Sequence, residues 1–262
     1  MKISVVSALL KVGAVIAEKY RVERLIAEGG MGVVVAARHL QLDETVALKL
    51  MAVRGDGAVA GRRFTLEARA LAKLRSEHVA RINDSGVTAD GTPYIVMEYL
   101  EGIDLARLLA EHGPLPVSDA VDYLLQACLA MAEAHSLHIV HRDLKPANLF
   151  LTRRIDGSPL LKVLDFGISK VDAAGQDPVI TQEASGETLG SPGYMSPEQL
   201  RAVSDVDQRT DIWSLGAILF ELLTGMRPFM AEQMPEIYAK ILYESPLPLR
   251  ERAPWVSPGL EA

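Results

Sequence analysis

The 262-residue sequence holds one cysteine, Cys128, no run of five or more lysines and arginines, and no apolar stretch of membrane-spanning length. A lone thiol cannot close an internal disulfide or supply the cysteine set of a zinc ribbon or iron–sulfur site. A stapled secreted scaffold is thereby excluded, and a reducing compartment, the cytoplasm, is expected. Basic residues are also in deficit, 27 against 34 acidic, for a formal charge of −7. Such a surface repels a phosphate backbone, so no nucleic acid partner is expected. The most apolar early stretch, Ile3 to Leu10, is interrupted by Lys11 and is far shorter than the ~20 residues a membrane helix needs. It lacks a small-residue cleavage site and reads as an amphipathic N-terminal segment. The next candidate, Ala217 to Leu223, has Glu221 inside it, so no membrane segment is expected in this chain.

What is present is ordinary globular material, 49% apolar and 23% charged. At roughly 150 residues per domain the length allows one large domain or two lobes. Tyr20–Ile26, Gly32–Ala37 and Thr45–Val53 are short β-branched segments separated by turn residues, which predicts an antiparallel meander. Apolar positions at helical spacing predict an amphipathic helix over Arg62–Leu74. Val79–Val87 and Tyr94–Leu100 return to strand character around the turn Ala89 to Pro93. Beyond a seam at Glu101-Gly102, helices are predicted over Leu105–Glu111, Ser118–His135, Asp211–Leu223 and Glu232–Tyr243, with Asp104, Ser118 and Asp211 as capping residues.

Three motifs carry chemistry. Gly29-Gly30-Met31-Gly32-Val33-Val34 lies between two strand-like segments, and glycines there let backbone N–H groups approach phosphate oxygens. A tight hairpin turn is the plain alternative; a dinucleotide fold is excluded because strand residues, not a helix, follow the glycines. Val46-Ala47-Leu48-Lys49 ends a strand on a lysine, and Glu67 follows eighteen positions later on the predicted helix. A carboxylate that fixes an ammonium makes a phosphate clamp, whereas each residue alone reads as a solvated charge. The third motif is the string His141-Arg142-Asp143-Leu144-Lys145-Pro146-Ala147-Asn148, followed by Asp165-Phe166-Gly167.

With these motifs in this order, the chain resembles the eukaryotic-like, Hanks-type serine/threonine protein kinases of bacteria. Ser196-Pro197-Glu198 stands where that family carries Ala-Pro-Glu, and Asp211-Ile212-Trp213-Ser214-Leu215-Gly216 resembles its helix that anchors the catalytic loop. The resemblance implies an α+β, bilobal kinase-like fold: residues 1–19 as an extension and 20–262 as the kinase domain, with a β-rich N-lobe over about 20–100 and a mostly helical C-lobe over about 101–262. It implies that Asp143 orients or accepts the hydroxyl proton, that Lys145 neutralises the γ-phosphate of ATP, and that Asn148 and Asp165 hold Mg²⁺, with Mn²⁺ as a substitute. Lys49 would hold the α- and β-phosphates, with Glu67 holding Lys49. ATP would be bound by Ile26, Ala27, Glu28, Gly29, Gly30, Met31, Gly32, Val33 and Val34 of the loop. Ala47, Met97 and Phe150 would line the adenine, and the backbone of Glu98 to Leu100 would hydrogen-bond it. His141 and Phe166 are implied to be packing residues.

Regulation is implied by Thr181, Ser185, Thr188 and Ser191 in the segment after Asp165, with Arg142 and Lys170 as a pocket for a phosphorylated loop. Activation by autophosphorylation, in a homodimer acting in trans, and protein substrates with Ser/Thr acceptors follow from the resemblance. Two departures stand out. Ala27 replaces the first loop glycine, which is expected to stiffen the loop and raise the KM for ATP. The family has two more helices after the position of Ala262, and an arginine there that pairs with the residue at Glu198, so the sequence reads as a fragment or a truncated domain. A pseudokinase scaffold is the alternative from another class. A small-molecule kinase is disfavoured by the peptide-positioning segment Gly190 to Glu198.

Overall fold

The structure, a computed structural model, describes residues 11–29, 32–51, 68–166, 192–201 and 206–261. They fall into two compact units, one comprising residues up to Arg75 together with Ala80–Glu101, the other comprising Ser76–Val79 and Gly102 onward.

The first unit is an antiparallel sheet of β1 (Val15–Ile16), β2 (Tyr20–Gly29), β3 (Gly32–His39), β4 (Glu44–Met51), β5 (Ile82–Val87) and β6 (Pro93–Glu98), in the order β1-β2-β3-β4-β6-β5. Strand side chains alternate between faces. Val33, Val35 and Ala37 of β3, Val46, Leu48 and Leu50 of β4, and Tyr94 and Val96 of β6 share one buried cluster with Ile16, Tyr20 and Val22. Each such aliphatic side chain contributes about 1.5–3 kcal/mol when fully buried. The sheet thus starts at Val15, ahead of the Tyr20 at which the sequence pattern begins. β5 starts at Ile82 instead of Val79, because Val79 makes a parallel bridge to Val163 in the other unit's fold. Of the predicted helix over Arg62–Leu74, residues 68–71 are helical, and 62–67 lie outside the described residues, as does Ile3–Leu10.

The second unit is mostly helical: α1 (Leu105–His112), α2 (Val117–Ser136), α3 (Pro197–Leu200), α4 (Arg209–Thr224), α5 (Met234–Tyr243), α6 (Leu249–Arg252) and α7 (Pro258–Glu261). A small sheet of β7 (Ile103–Asp104), β8 (Leu149–Arg153) and β9 (Pro159–Val163) lies beside them. The α+β class expected from the sequence is the one observed. Asp104 caps α1 as predicted, its side chain accepting the N–H of Arg107. The other two expected caps are corrected. α2 begins at Val117 with Pro116 as its cap, and Ser118 sits inside the first turn. Gln208 is the cap of α4, while Asp211 lies within the helix with its carboxylate turned inward and fully buried.

α2 buries Ala120, Leu124, Ala127, Met131 and Ala134, a stripe at three- and four-residue spacing that faces the core. α4 buries a broader face that includes Leu215, Ile218, Leu222 and Leu223, and ends at Gly225 in the left-handed region, φ 74°. These two helices hold the loop that runs into β8.

Candidate functional site

In the second unit the segment 141–148 is pinned from beneath by one carboxylate. Asp211 accepts the backbone N–H of His141 and of Arg142, both at 2.9 Å, and lies 2.8 Å from Nε2 of His135 on α2. Arg142 and Asp165 adopt positive φ, 63° and 52°, a conformation that costs a non-glycine residue about 1–3 kcal/mol and persists only where the surroundings hold it. For Arg142 the Asp211 bond is one such hold. Its carbonyl supplies another by accepting from Nε2 of Gln199 at 2.9 Å. Gln199 is in turn locked by a capping box with Ser196 at the start of α3.

His141 is fully buried. Its Nε2 faces the carbonyl of Leu164 at 2.9 Å, and Nδ1 accepts the N–H of Asp143 at 3.2 Å. Burial pushes its pKa below the usual histidine value, so the ring is a neutral wedge between the two backbone segments. The ring packs against Phe166, 4.7 Å between centroids. Packing, not proton transfer, is the environment these contacts provide.

The side chain of Asp143 meets Nζ of Lys145 at 3.1 Å and Nδ2 of Asn148 at 3.3 Å, and that same amide nitrogen donates to the Asp143 carbonyl at 2.8 Å. With its nitrogen committed to Asp143, Asn148 keeps its amide oxygen as a hard donor. The N–H of Leu164 donates to the Asn148 carbonyl at 2.8 Å, which sets the residue before Asp165 against Asn148. Among the described residues no three His, Cys, Asp or Glu side chains gather as a metal cage. One carboxylate and one amide oxygen suit Mg²⁺, which takes few protein ligands and keeps waters and phosphate oxygens. A cleft lined by Arg142, Asp143, Lys145, Tyr194, Gln199 and Ser214 opens at this point. Tyr194 donates its hydroxyl to Glu221, and burial together with that carboxylate drives its pKa up.

The first unit carries the other predicted residues. Val34 is the cross-strand partner of both Ala27 and Lys49, and Ala47 is the partner of Met97. By alternation Val34, Ala47, Lys49 and Met97 share the sheet face opposite the buried cluster. Register shifts between Val22 and Arg24 and between Leu25 and Ala27 leave Ile26 43% exposed instead of in the core. Glu28 pairs with Val33 and Gly29 with Gly32. Gly32 has φ 137°, and a Cβ there would lie 2.1 Å from the Leu50 carbonyl oxygen, so no other residue fits. Ala27 is not among the residues of positive φ, so its Cβ brings no backbone strain. Glu98 closes β6 and Leu100 follows it, just before this unit ends at Glu101, and Phe150 lies on β8 in the other.

Gly30, Met31, Glu67, Lys170, Thr181, Ser185, Thr188 and Ser191 lie outside the described residues. Sequence reasoning missed Gln199, His135 and the Tyr194–Glu221 pair. A signal for the last existed, because Glu221 interrupts an apolar helix and a carboxylate there requires a buried partner.

Comparison with known proteins places this geometry. The protein kinase domain family matches residues 20–255. Serine/threonine-protein kinase pkn3 of Myxococcus xanthus is 40% identical over 256 residues, covering 95% of this chain and 46% of its own length. PknB of Mycobacterium leprae is 35% identical over 253 residues, 94% of this chain and 39% of its own. The chain therefore spans less than half the length of these curated relatives. Among solved structures, the Mycobacterium tuberculosis PknI kinase domain superposes with a TM-score of 0.68 at 28% identity, covering 94% of this chain and 85% of that one. Rad53 residues 1–466 in complex with AMP-PNP gives 0.68 at 26% identity, over 86% of this chain and 53% of that one.

Proposed function

The chain belongs to the protein kinase domain family, in its bacterial serine/threonine branch, and from that premise we propose that it transfers the γ-phosphate of ATP to serine and threonine hydroxyls of proteins. The observation that carries the reading is Asp143, held by Lys145 and Asn148 at a small cleft that Tyr194, Met195 and Gln199 also line.

Phosphoryl transfer asks the protein for positioning and charge neutralisation more than for covalent chemistry. Asp143 accepts the proton of the incoming hydroxyl as its oxygen bonds to the γ-phosphorus and the bond to the bridging β–γ oxygen breaks, releasing ADP. Lys145, 3.1 Å from that carboxylate, shields the transferring group's charge. Lys49 holds the α- and β-phosphates, and Glu67 fixes Lys49. The glycine loop from Ile26 to Val34 covers the phosphates, and Ala47, Met97 and Phe150 take the adenine, with Glu98 and Leu100 offering backbone groups. Asn148 and Asp165 would hold Mg²⁺, or Mn²⁺ in its place, which supplies charge neutralisation across the phosphates.

The reading extends to autophosphorylation between two copies at Thr181, Ser185, Thr188 or Ser191, with Arg142 and Lys170 receiving the phosphate. A cytoplasmic site of action is supported by the single cysteine and by the use of ATP. Among the described residues no helix is long and apolar enough to cross a membrane.

The test is incorporation of labelled γ-phosphate from ATP with Mg²⁺ into the chain itself and into a generic basic protein, beside Asp143→Asn. Transfer by the unaltered chain and its loss in the variant is the expected result. A folded chain that binds ATP yet transfers nothing, including when extended at its C-terminus, overturns the reading in favour of a scaffold.

A further inference from the structure

Tyr194 belongs to the lining of the cleft that holds Asp143, and its surroundings set the charge beside that cleft. Its backbone carbonyl accepts from Oγ of Ser214 at 2.8 Å, and its hydroxyl donates to Glu221, so the residue is tied to α4 at two points. Glu221 also faces Nε of Arg227 at 3.7 Å. The two members of that ion pair are unequally placed: the Glu221 side chain is 12% exposed and that of Arg227 is 43% exposed. The guanidinium of Arg227 lies 5.3 Å from the centre of the Tyr194 ring. Its stem runs against Gly193, where a Cβ would come within 2.8 Å of Cδ.

The carboxylate is therefore met by the Tyr194 hydroxyl and by Nε of Arg227, and the Arg227 side chain is the more exposed of the pair. A planar cation stacked on an aromatic ring keeps its remaining N–H groups in fixed directions and available to a carboxylate. Within the cleft itself the acid, Asp143, already has Lys145 beside it at 3.1 Å. Each of these two acids thus has a cation beside it, and of the Glu221–Arg227 pair the member more exposed to an approaching chain is the guanidinium.

We propose that Arg227 is a specificity-determining residue that selects acceptor segments carrying Asp or Glu a few positions from the Ser or Thr, on the side of the chain that runs past Gly193 and Tyr194. The proposal rests on the kinase reading above and names its substrate class. A solvated ion pair of this kind is worth about two- to fivefold in kcat/KM.

The experiment is a set of Ser/Thr peptides with Asp, Ala or Lys at each flanking position, phosphorylated by the 262-residue chain, by Arg227→Gln and by Arg227→Lys. The expected result is a two- to fivefold preference for Asp over Ala at one flanking position, weakening as salt is raised to about 0.5 M. Arg227→Gln abolishes the preference and Arg227→Lys retains most of it. An unaltered chain that prefers Lys or is indifferent at every position overturns the proposal without any variant having to fold. The same preference persisting in Arg227→Gln overturns it too. Transfer to no peptide by a chain that binds ATP overturns the kinase reading and this proposal together.

Discussion

The carboxylate of Asp211 and the backbone N–H of Arg142, 2.9 Å apart, join the buried interior of α4 to the residue immediately before Asp143. The same carboxylate takes the N–H of His141 and stands 2.8 Å from His135, so three groups from two other parts of the chain converge on one side chain with no exposure to water. Asp211→Ala leaves those donors without an acceptor. Each orphaned buried donor costs about 1–3 kcal/mol, so the variant should lose roughly 3 kcal/mol or more in urea unfolding. Phosphate transfer should fall beyond the fraction that unfolds, because the positive-φ turn at Arg142 is no longer held.

Gln199 holds that same turn from the opposite side, through the Arg142 carbonyl. Gln199→Ala removes this bond and half of the capping box at Ser196, which together should cost about 1–2 kcal/mol. If the side chain positions the loop, kcat falls about tenfold while the KM for ATP stays put, since displacement of a positioned group acts on the chemical step. Steady-state kinetics with ATP and acceptor varied separately measures both.

His141 is held neutral by burial, with its pKa below the ordinary 6.5. Below that pH the unfolded chain takes up a proton that the folded chain refuses, so the contribution of this residue to stability is intact above pH 6.5 and drains away as the pH falls. His141→Phe keeps the wedge against Phe166 without the titration. Its stability should be lower at neutral pH, through loss of the bond to the Leu164 carbonyl, and should decline less steeply from pH 7 to 5. Urea midpoints at four pH values separate the two effects.

Gly102 sits at the start of the second unit with φ 151°, and a Cβ there would lie 2.1 Å from the carbonyl oxygen of Leu151. β7 could not then keep its pairing of Ile103 with Leu151 without a backbone shift. Gly102→Ala should destabilise by about 2–4 kcal/mol, and thermal unfolding should show it.

The sheet was legible because its strands obey a period of two. Val34, Ala47, Lys49 and Met97 could be expected together from their strands, although only the register shows that one face carries them all. Asp104 was legible as a cap because capping is local chemistry. The β8–β9 hairpin is not marked by the sequence pattern despite an Asp156-Gly157 turn between Leu-rich flanks; leucine is not a marker of strands, and the burial of Leu149, Leu160, Leu161 and Val163 is a tertiary property. Ala27 marks a departure expected to stiffen the glycine loop, and its ordinary φ means that the added Cβ does so without backbone strain. Asp211 looked like a cap from its place at the head of an apolar helix. Its bonds to residues 70 and 69 positions away are invisible to any local pattern.

Four residues, Ser76 to Val79, belong to the second unit although the chain on either side of them builds the first. They are fastened there by the N–H of Ser76 to Glu133, by His78 to the Leu161 carbonyl at 3.0 Å, and by the N–H of Val163 to the His78 carbonyl at 2.7 Å. A protease that nicks the polypeptide between Glu101 and Gly102 therefore yields two pieces that remain bound, since the N-terminal piece still carries a rung of the C-terminal one. For the same reason, residues 102–262 produced as a separate polypeptide would lack part of their own framework, and a short peptide spanning Ser76–Val79 would be the natural complement to restore it.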